Sequence, residues 1–371
     1  MSLQKNAGAV RRFARAMKFG AWLQNLPNRM TPPPFRLVQI GSAFWQSRAL
    51  YVAARLDLAG CIGDDTLDAA TIAERAGADA DATARLLRML AAIGVFEETT
   101  PRHYRNNRLS APLRSDHPQS VRAMILMHND PVMSRPWYEA LERGVREGAT
   151  PFRLTHGREL FAWLDDHADS DALFSAAMDS VEALAGDSFA TDFDWGRFER
   201  VIDVGGSRGA KSLAILKRHP HLTALVLDRP QVIDEARRYW SEHPTPEVDR
   251  VAFQAGDAFD AIPPARDERD VYFLSAVLHG FDDTGCITIL RKLAAACGDG
   301  GARIVLLEMV LPEMGADLAA ASFDMQMFMG TRGRERTLDE WRALFDRSGV
   351  TLDEVVGLRS FASMLVLRRK E

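Results

Sequence analysis

The chain has little cysteine, no long apolar run and no excess of basic residues. Its three cysteines, Cys61, Cys286 and Cys297, are too far apart or wrongly spaced for a metal knuckle. They exclude a disulfide framework and fit a reducing, cytoplasmic setting. No stretch of about 18 apolar residues occurs, so no transmembrane helix is expected. The opening MSLQKNAGAVRRFARAMKFGAW lacks the uninterrupted apolar stretch of a secretory signal. Its Arg11, Arg12, Arg15 and Lys18 read as a solvated or dimer-packing helix rather than a membrane-surface one. Net charge is −5, which argues against a nucleic-acid partner.

The rest is ordinary globular composition over 371 residues, 47% hydrophobic and 26% charged. That length predicts two or three domains. Pro32, Pro33 and Pro34 separate a helical arm from the next helical stretch. From Leu37 to Ala59 apolar residues recur at helical spacing. In TLDAATIAERAG and ADADATARLLRMLAAIGVFEE, Thr66 is expected to open one helix and Asp79 or Asp81 the next. Gly77 lies between them, and VFEETTPRHYRNN reads as a hairpin. This is a winged helix-turn-helix pattern. A DNA-binding regulator is one reading of it. The second helix carries Asp79, Asp81, Arg85 and Arg88, however, so packing or dimerisation is favoured. We therefore expect a helical and winged-helix dimerisation domain over 1–115 and a helical segment over 116–195. Several Met and aromatic side chains of that segment are candidates for lining an apolar acceptor pocket.

From Phe198 onwards β-rich runs alternate with helical ones: RVIDVGG, TALVLD, RVAFQAGD, DVYFLSAV and ARIVLLEMV. The expected fold of 196–371 is α/β, a doubly wound, mostly parallel sheet. The closing TLDEVVGL and SMLVLRRK fit an antiparallel hairpin at its edge. The first strand runs into Gly205, Gly206 and Gly209, where backbone can approach a ligand closely. Asp228, 19 residues after Gly209 and at the end of the next strand, can take both ribose hydroxyls. Asp257 ends the third strand, with Ala258 and Phe259 beside it to pack on a flat base. Asp203, Asp228 and Asp257 make a poor pyrophosphate site. They suit a nucleoside cofactor with a positive charge, such as S-adenosylmethionine.

The motifs DVGGSRG, LVLDRPQV, GDAF, LHGFDD, GGARIVLLEMVLP and GRERT occur in this order. In this the chain resembles the class I S-adenosylmethionine-dependent O-methyltransferases of small molecules, over nearly its whole length. That group includes the plant caffeate, acetylserotonin and bacterial tailoring enzymes. The resemblance implies a seven-stranded Rossmann-like catalytic sheet, a homodimer formed through the winged-helix part, S-adenosylmethionine as methyl donor, S-adenosylhomocysteine as product, and no metal. It places the cofactor's amino-acid end at Gly205 and Gly209, its ribose at Asp228 and its adenine at Asp257 and Phe259. It makes His279 the general base, with Glu308 and Glu335 as supporters. In the family the helix of SFDMQMFMG also borders the acceptor pocket; Phe323 and Met327 are our candidates there, with Asn129, Phe174 and Met178 for the other wall.

Four positions depart from the family pattern. Ser207 replaces the third glycine, Ser275 the usual Lys or Arg, Gly280 the usual Asp or Asn, and Phe281 the usual Trp. No catalytic group is lost. A phenol resembles Tyr, with a pKa about 3.5 units above that of free histidine, so full prior proton transfer would cost roughly 5 kcal/mol. An aliphatic alcohol, nearer water, would cost over twice as much. One histidine base thus favours a phenolic or enolic hydroxyl on a small aromatic acceptor. A methyltransferase fold repurposed as a hydroxylase or decarboxylase is the alternative enzyme reading.

Overall fold

A computed structural model describes residues 2–370. The chain forms two compact units, Met1–Ala21 with Gly186–Glu371, and Trp22–Ala185. This division differs from boundaries at 115/116 and 195/196. Residues 116–185 go with the helical unit, and 186–195 go with the sheet. The start of the chain joins the sheet because it is tied there: Leu3 is buried in the core under the sheet, and the Gln4 side chain bonds both N–H and C=O of Gly357.

The helical unit holds the winged element. Helices Ala69–Ala76 and Ala80–Ala92 meet a three-stranded sheet of β1 (Thr66–Asp68), β2 (Glu97–Thr100) and β3 (His103–Arg105), ordered β1-β3-β2. Thr66 does not open a helix; it begins β1 and pairs with Arg105. The cap falls on Asp68, whose carboxylate accepts from the N–H of Ala70 and Thr71, a short polar acceptor where two backbone donors have no helical partner. Asp79 caps the second helix through Ala82 N–H, and Gly77 between them takes φ +62. Leu58, Ile72, Leu87, Leu90, Phe96 and Tyr104 form this unit's core. Among the described residues, no helix is long and apolar enough to cross a membrane.

The sheet unit is built on β4 (Arg200–Val204), β5 (Thr223–Asp228), β6 (Val251–Ala255), β7 (Asp270–Ser275), β8 (Arg303–Leu311), β9 (Arg336–Thr337), β10 (Val350–Gly357) and β11 (Ala362–Arg369). Seven strands run in the order β10-β11-β8-β7-β4-β5-β6, and the two-residue β9 adds parallel to the end of β8. All neighbours from β8 through β6 are parallel; β11 is antiparallel to both β8 and β10. The fold is the mostly parallel Rossmann-like sheet that the alternation predicts, with the closing hairpin at its edge.

Both faces are covered. Along β7 and β8, side chains alternate between two cores: Tyr272, Leu274, Ile304 and Leu306 pack on one, Val271, Phe273, Val305 and Leu307 on the other. This period of two is why the parallel strands read as continuous apolar runs. It also places Glu308 on the face of Leu306, one residue pair further toward the strand's carboxyl end. The chain winds from β4 outward through β5 and β6, then returns to the other side of β4 for β7 and β8. Ligands of such sheets bind where the order reverses.

Asp192, fully buried, accepts from both the guanidinium and the backbone N–H of Arg359, and from Asn6. Burial alone would raise its pKa; the bonds from Arg359 and Asn6 outweigh this and hold it below the usual carboxylate range. Asp192→Ala removes an acceptor shared by Arg359 and Asn6, but Arg359 is part-exposed and both side chains keep a bond to Thr191, so we expect a loss of about 1–3 kcal/mol in denaturant unfolding. Because the folded pKa is depressed, the wild-type advantage over the variant is present at neutral pH and shrinks as pH falls through the acid range.

Candidate active site

His279 lies in a short 3-10 turn, Leu278–Gly280, that comes after β7. Its Nδ1 is 2.8 Å from Glu335 Oε1 and 3.9 Å from Glu308 Oε2, so Glu335 is the hydrogen-bonded partner. Glu308 instead holds the turn's backbone: its Oε1 accepts from Leu278 N–H at 3.0 Å and Val277 N–H at 3.2 Å. Both glutamates are buried. One donor atom from each of the three residues lies within 4.8 Å of the others, so their protonation is coupled.

This crowding sets the charges. Burial alone would lower the His279 pKa. The charge of Glu308, the hydrogen bond and charge of Glu335, and the Ala276 backbone outweigh it and hold the imidazole above its ordinary value. Glu308 is pushed up to about 7, by burial first and by Glu335, against His279 and the two N–H donors. With Nδ1–H donated to Glu335, Nε2 is the nitrogen left with a free lone pair.

The turn is held from further sides. The fully buried Arg336, on β9 next to Glu335, donates from Nη2 to Phe281 C=O at 3.1 Å and Asp283 Oδ1 at 3.0 Å. The Cys286 thiol donates to Leu278 C=O at 3.1 Å. A Cβ on Gly333 would lie 1.8 Å from the His279 carbonyl oxygen, so the GRERT loop sits directly against the turn. Gly333, Arg336 and Cys286 carry no sequence signal of this role. The first two stand inside GRERT, on either side of Glu335.

The glycine turn packs on the same segment. A Cβ on Gly205 would come within 2.9 Å of a Val277 methyl. Gly209 has φ +75, and a Cβ there would meet Val226 at 2.9 Å. Ser207, where the family has glycine, keeps the left-handed conformation at φ +52. Its N–H donates to Asp228 Oδ2 at 2.8 Å, and Arg229 N–H to Oδ1 at 2.7 Å. Each carboxylate oxygen has a further lone pair for a hydroxyl. Asp203 is different: it is buried beneath Gly206 and accepts from Ser212 Oγ, so it supports the turn from below. Asp257 accepts from Phe259 N–H at 2.8 Å, and the Phe259 ring stands edge-on to Phe281 at 5.2 Å. Ala258 is partly buried beside them, and Ser275 partly buried at the end of β7.

The five acceptor candidates fall in both units. Phe323 and Met327 lie on helix Leu318–Gly330, whose Asp324 accepts from Glu335 N–H at 3.0 Å. Asn129, Phe174 and Met178 belong to the helical unit. There Asn129 is buried and bonded to Ser47 and Arg48, Phe174 stands edge-on to Phe161, and Met178 is partly buried.

The geometry is that of a nucleoside-type site beside a carboxylate-held histidine, on a methyltransferase-like sheet. The chain belongs to the O-methyltransferase family: residues 137–351 match its O-methyltransferase domain and 38–116 its dimerisation domain. It is 32% identical over 332 residues to the phenazine O-methyltransferase PhzM of Lysobacter antibioticus, covering 90% of this chain and 95% of that protein. It is 30% identical to the phenazine-1-carboxylate N-methyltransferase of Pseudomonas aeruginosa, covering 90% and 96%. Among solved structures, LaPhzM superposes with a TM-score of 0.83 at 32% identity, over 91% of this chain and 100% of that one. NcsB1 from neocarzinostatin biosynthesis, in complex with S-adenosylmethionine and 2-hydroxy-5-methyl naphthoic acid, gives 0.73 at 29% identity, over 87% and 95%.

Gly333→Ala forces either the GRERT loop or the His279 turn to move. We expect a loss of about 1–3 kcal/mol in stability. Turnover should fall further than that stability loss explains, measured as kcat on protein that is folded by calorimetry.

Proposed function

We propose that this protein is an S-adenosylmethionine-dependent O-methyltransferase that methylates a phenolic or enolic hydroxyl of a small aromatic metabolite, with His279 as general base. The observation that carries this reading is the 2.8 Å bond from His279 Nδ1 to Glu335, made beside a glycine turn that ends in Asp228.

The cofactor fits the residues present. Gly205 and Gly209 leave room for its amino-acid end, and Asp228 has lone pairs for both ribose hydroxyls. Asp257, Ala258 and Phe259 are placed for the base, with Ser275 at the neighbouring strand end. When bound, the cofactor supplies an electrophilic methyl group on a sulfonium. The protein's part is alignment, worth up to about 7–11 kcal/mol by the proximity argument, and removal of the acceptor's proton. That proton goes to His279 Nε2 while Glu335 stabilises the imidazolium from the far side. Phe323 and Met327, on the helix that Asp324 ties to Glu335, are assigned to the acceptor.

A hydroxyl acceptor is favoured over an aromatic ring nitrogen, although one relative is an N-methyltransferase. A ring nitrogen attacks through a lone pair it already has and needs no base. A hydroxyl must lose a proton, and the His279–Glu335 pair is arranged to take one. The reaction needs no Lewis acid, so no metal is assigned. Phe35, Leu37, Val38, Ile40, Phe44 and Trp45 are exposed apolar residues at or near the start of the dimerisation match, and we assign the protein as a homodimer.

His279→Ala should lower kcat by about 10²–10⁴-fold. S-adenosylmethionine binding, measured by calorimetry, should be unchanged, and chelator should not affect the wild type. Undiminished turnover in the variant would remove the base assignment.

Because His279 must be neutral to accept a proton and its pKa is raised, activity should fall on the acid side at a pH above the ordinary histidine value. Glu335→Gln removes a negative charge and a hydrogen bond that favour the imidazolium. Its acid limb should therefore move to lower pH in the kcat/KM profile.

A further inference from the structure

Within the glycine turn, residues 205–209, Ser207 is the non-glycine residue with a left-handed backbone, φ +52 between Gly205 and Gly209 at +75 each. Glycine adopts that conformation freely. A residue with a Cβ is strained there, so its surroundings must hold it. Two contacts do so. Ser207 N–H donates to Asp228 Oδ2 at 2.8 Å, which fixes the peptide before the residue. Trp240 Nε1–H donates to the Arg208 carbonyl at 2.6 Å, which fixes the peptide after Arg208. The dihedrals of Ser207 and Arg208 lie between these two pinned peptides.

Both contacts come from one stretch of chain. Asp228 ends β5, and helix Pro230–Glu242 begins two residues later. Near the end of that helix the Tyr239 and Trp240 rings stand edge-on at 4.9 Å. The Arg208 guanidinium lies over the Tyr239 ring, 4.7 Å from its centre. Its Nη2 donates to Glu235 Oε1 at 2.6 Å, one turn earlier on the same helix face. Arg208 is thus held twice, its side chain by a carboxylate and a ring face, its carbonyl by an indole. The indole suits this task, being a donor only, on a rigid ring with two side-chain torsions. Methyl transfer uses none of these side chains directly.

We infer that Trp240, together with Arg208, is a positioning residue for the cofactor, holding Ser207 in the conformation that glycine would adopt unaided. The inference rests on S-adenosylmethionine being the cofactor. Without this clamp the unbound turn spreads into ordinary backbone conformations, and the cofactor must gather it again. Affinity then drops by the fraction of protein left competent. With glycine at 207 the left-handed state is populated without help, so the clamp matters little. The clamp is what makes a serine workable where the family pattern has glycine.

The probe is S-adenosylhomocysteine, titrated into the full chain by calorimetry. Trp240→Phe keeps a ring and loses the donor; its Kd should rise about ten-fold. Ser207→Gly alone should stay within about two-fold of the wild type. In the double variant the loss from Trp240→Phe should shrink to about two-fold, since both positions act on one backbone conformation. In turnover, Trp240→Phe should raise KM for S-adenosylmethionine and leave kcat within about two-fold. A merely structural tryptophan would lower the melting temperature and leave Kd where it was. An unchanged Kd, or an equal ten-fold loss with and without Ser207→Gly, overturns the inference. Should Trp240→Phe not fold, Glu235→Gln loosens the Arg208 guanidinium instead, and the same comparison with Ser207→Gly decides. A wild type that binds no S-adenosylhomocysteine overturns the cofactor reading and this inference with it, and is seen before any variant is made.

Discussion

The site depends on one short stretch of backbone, residues 276–281, being held still. Five separate groups press on it. Glu308 accepts from the N–H of Val277 and Leu278, Arg336 and Cys286 donate to its carbonyls, and Gly333 and Gly205 close on it without side chains. Each hydrogen bond contributes on the order of 1 kcal/mol. Their joint effect is geometric: they come from β8, β9, the loop after β4 and the helix after the turn, so the imidazole cannot drift without disturbing most of the unit.

That arrangement links the glycine turn to the histidine. Gly205, in the turn assigned to the cofactor, meets Val277, two residues before His279. Glu335, which fixes the imidazole's tautomer, sits between Gly333 and Arg336, which fix the turn the imidazole stands on. Asp324 then ties Glu335 to the helix of Phe323 and Met327. The residues we propose for methyl donor, base and acceptor are therefore tied to one another through this stretch. In-line displacement benefits from that, since alignment can supply up to about 7–11 kcal/mol of its acceleration.

Much of this is legible in the sequence because it rests on local pattern. The alternation of β-rich and helical runs points to the sheet, and the ordered motifs point to His279, Glu308 and Glu335 as neighbours. Period-two side-chain alternation even explains why Glu308 faces the site. Other features rest on three-dimensional choices that sequence does not record. Thr66 and Asp68 are both good caps, and only the pairing of Thr66 with Arg105 decides between them. Asp203 stands at a strand end like Asp228, yet it turns under Gly206 to Ser212. Gly333 looks like one more loop glycine; its closeness to the His279 carbonyl comes from how β9 joins β8. The start of the chain carries no signal that it bonds to Gly357, some 350 residues away.

The most direct test of the central claim is a crystal structure with S-adenosylhomocysteine and a hydroxylated aromatic acceptor. The account predicts the acceptor oxygen within hydrogen-bond reach of His279 Nε2, about 2.6–3.2 Å, with Nδ1 still on Glu335 and the oxygen in line with the cofactor sulfur. An acceptor hydroxyl bound away from His279, with another group nearer the sulfur, would contradict it.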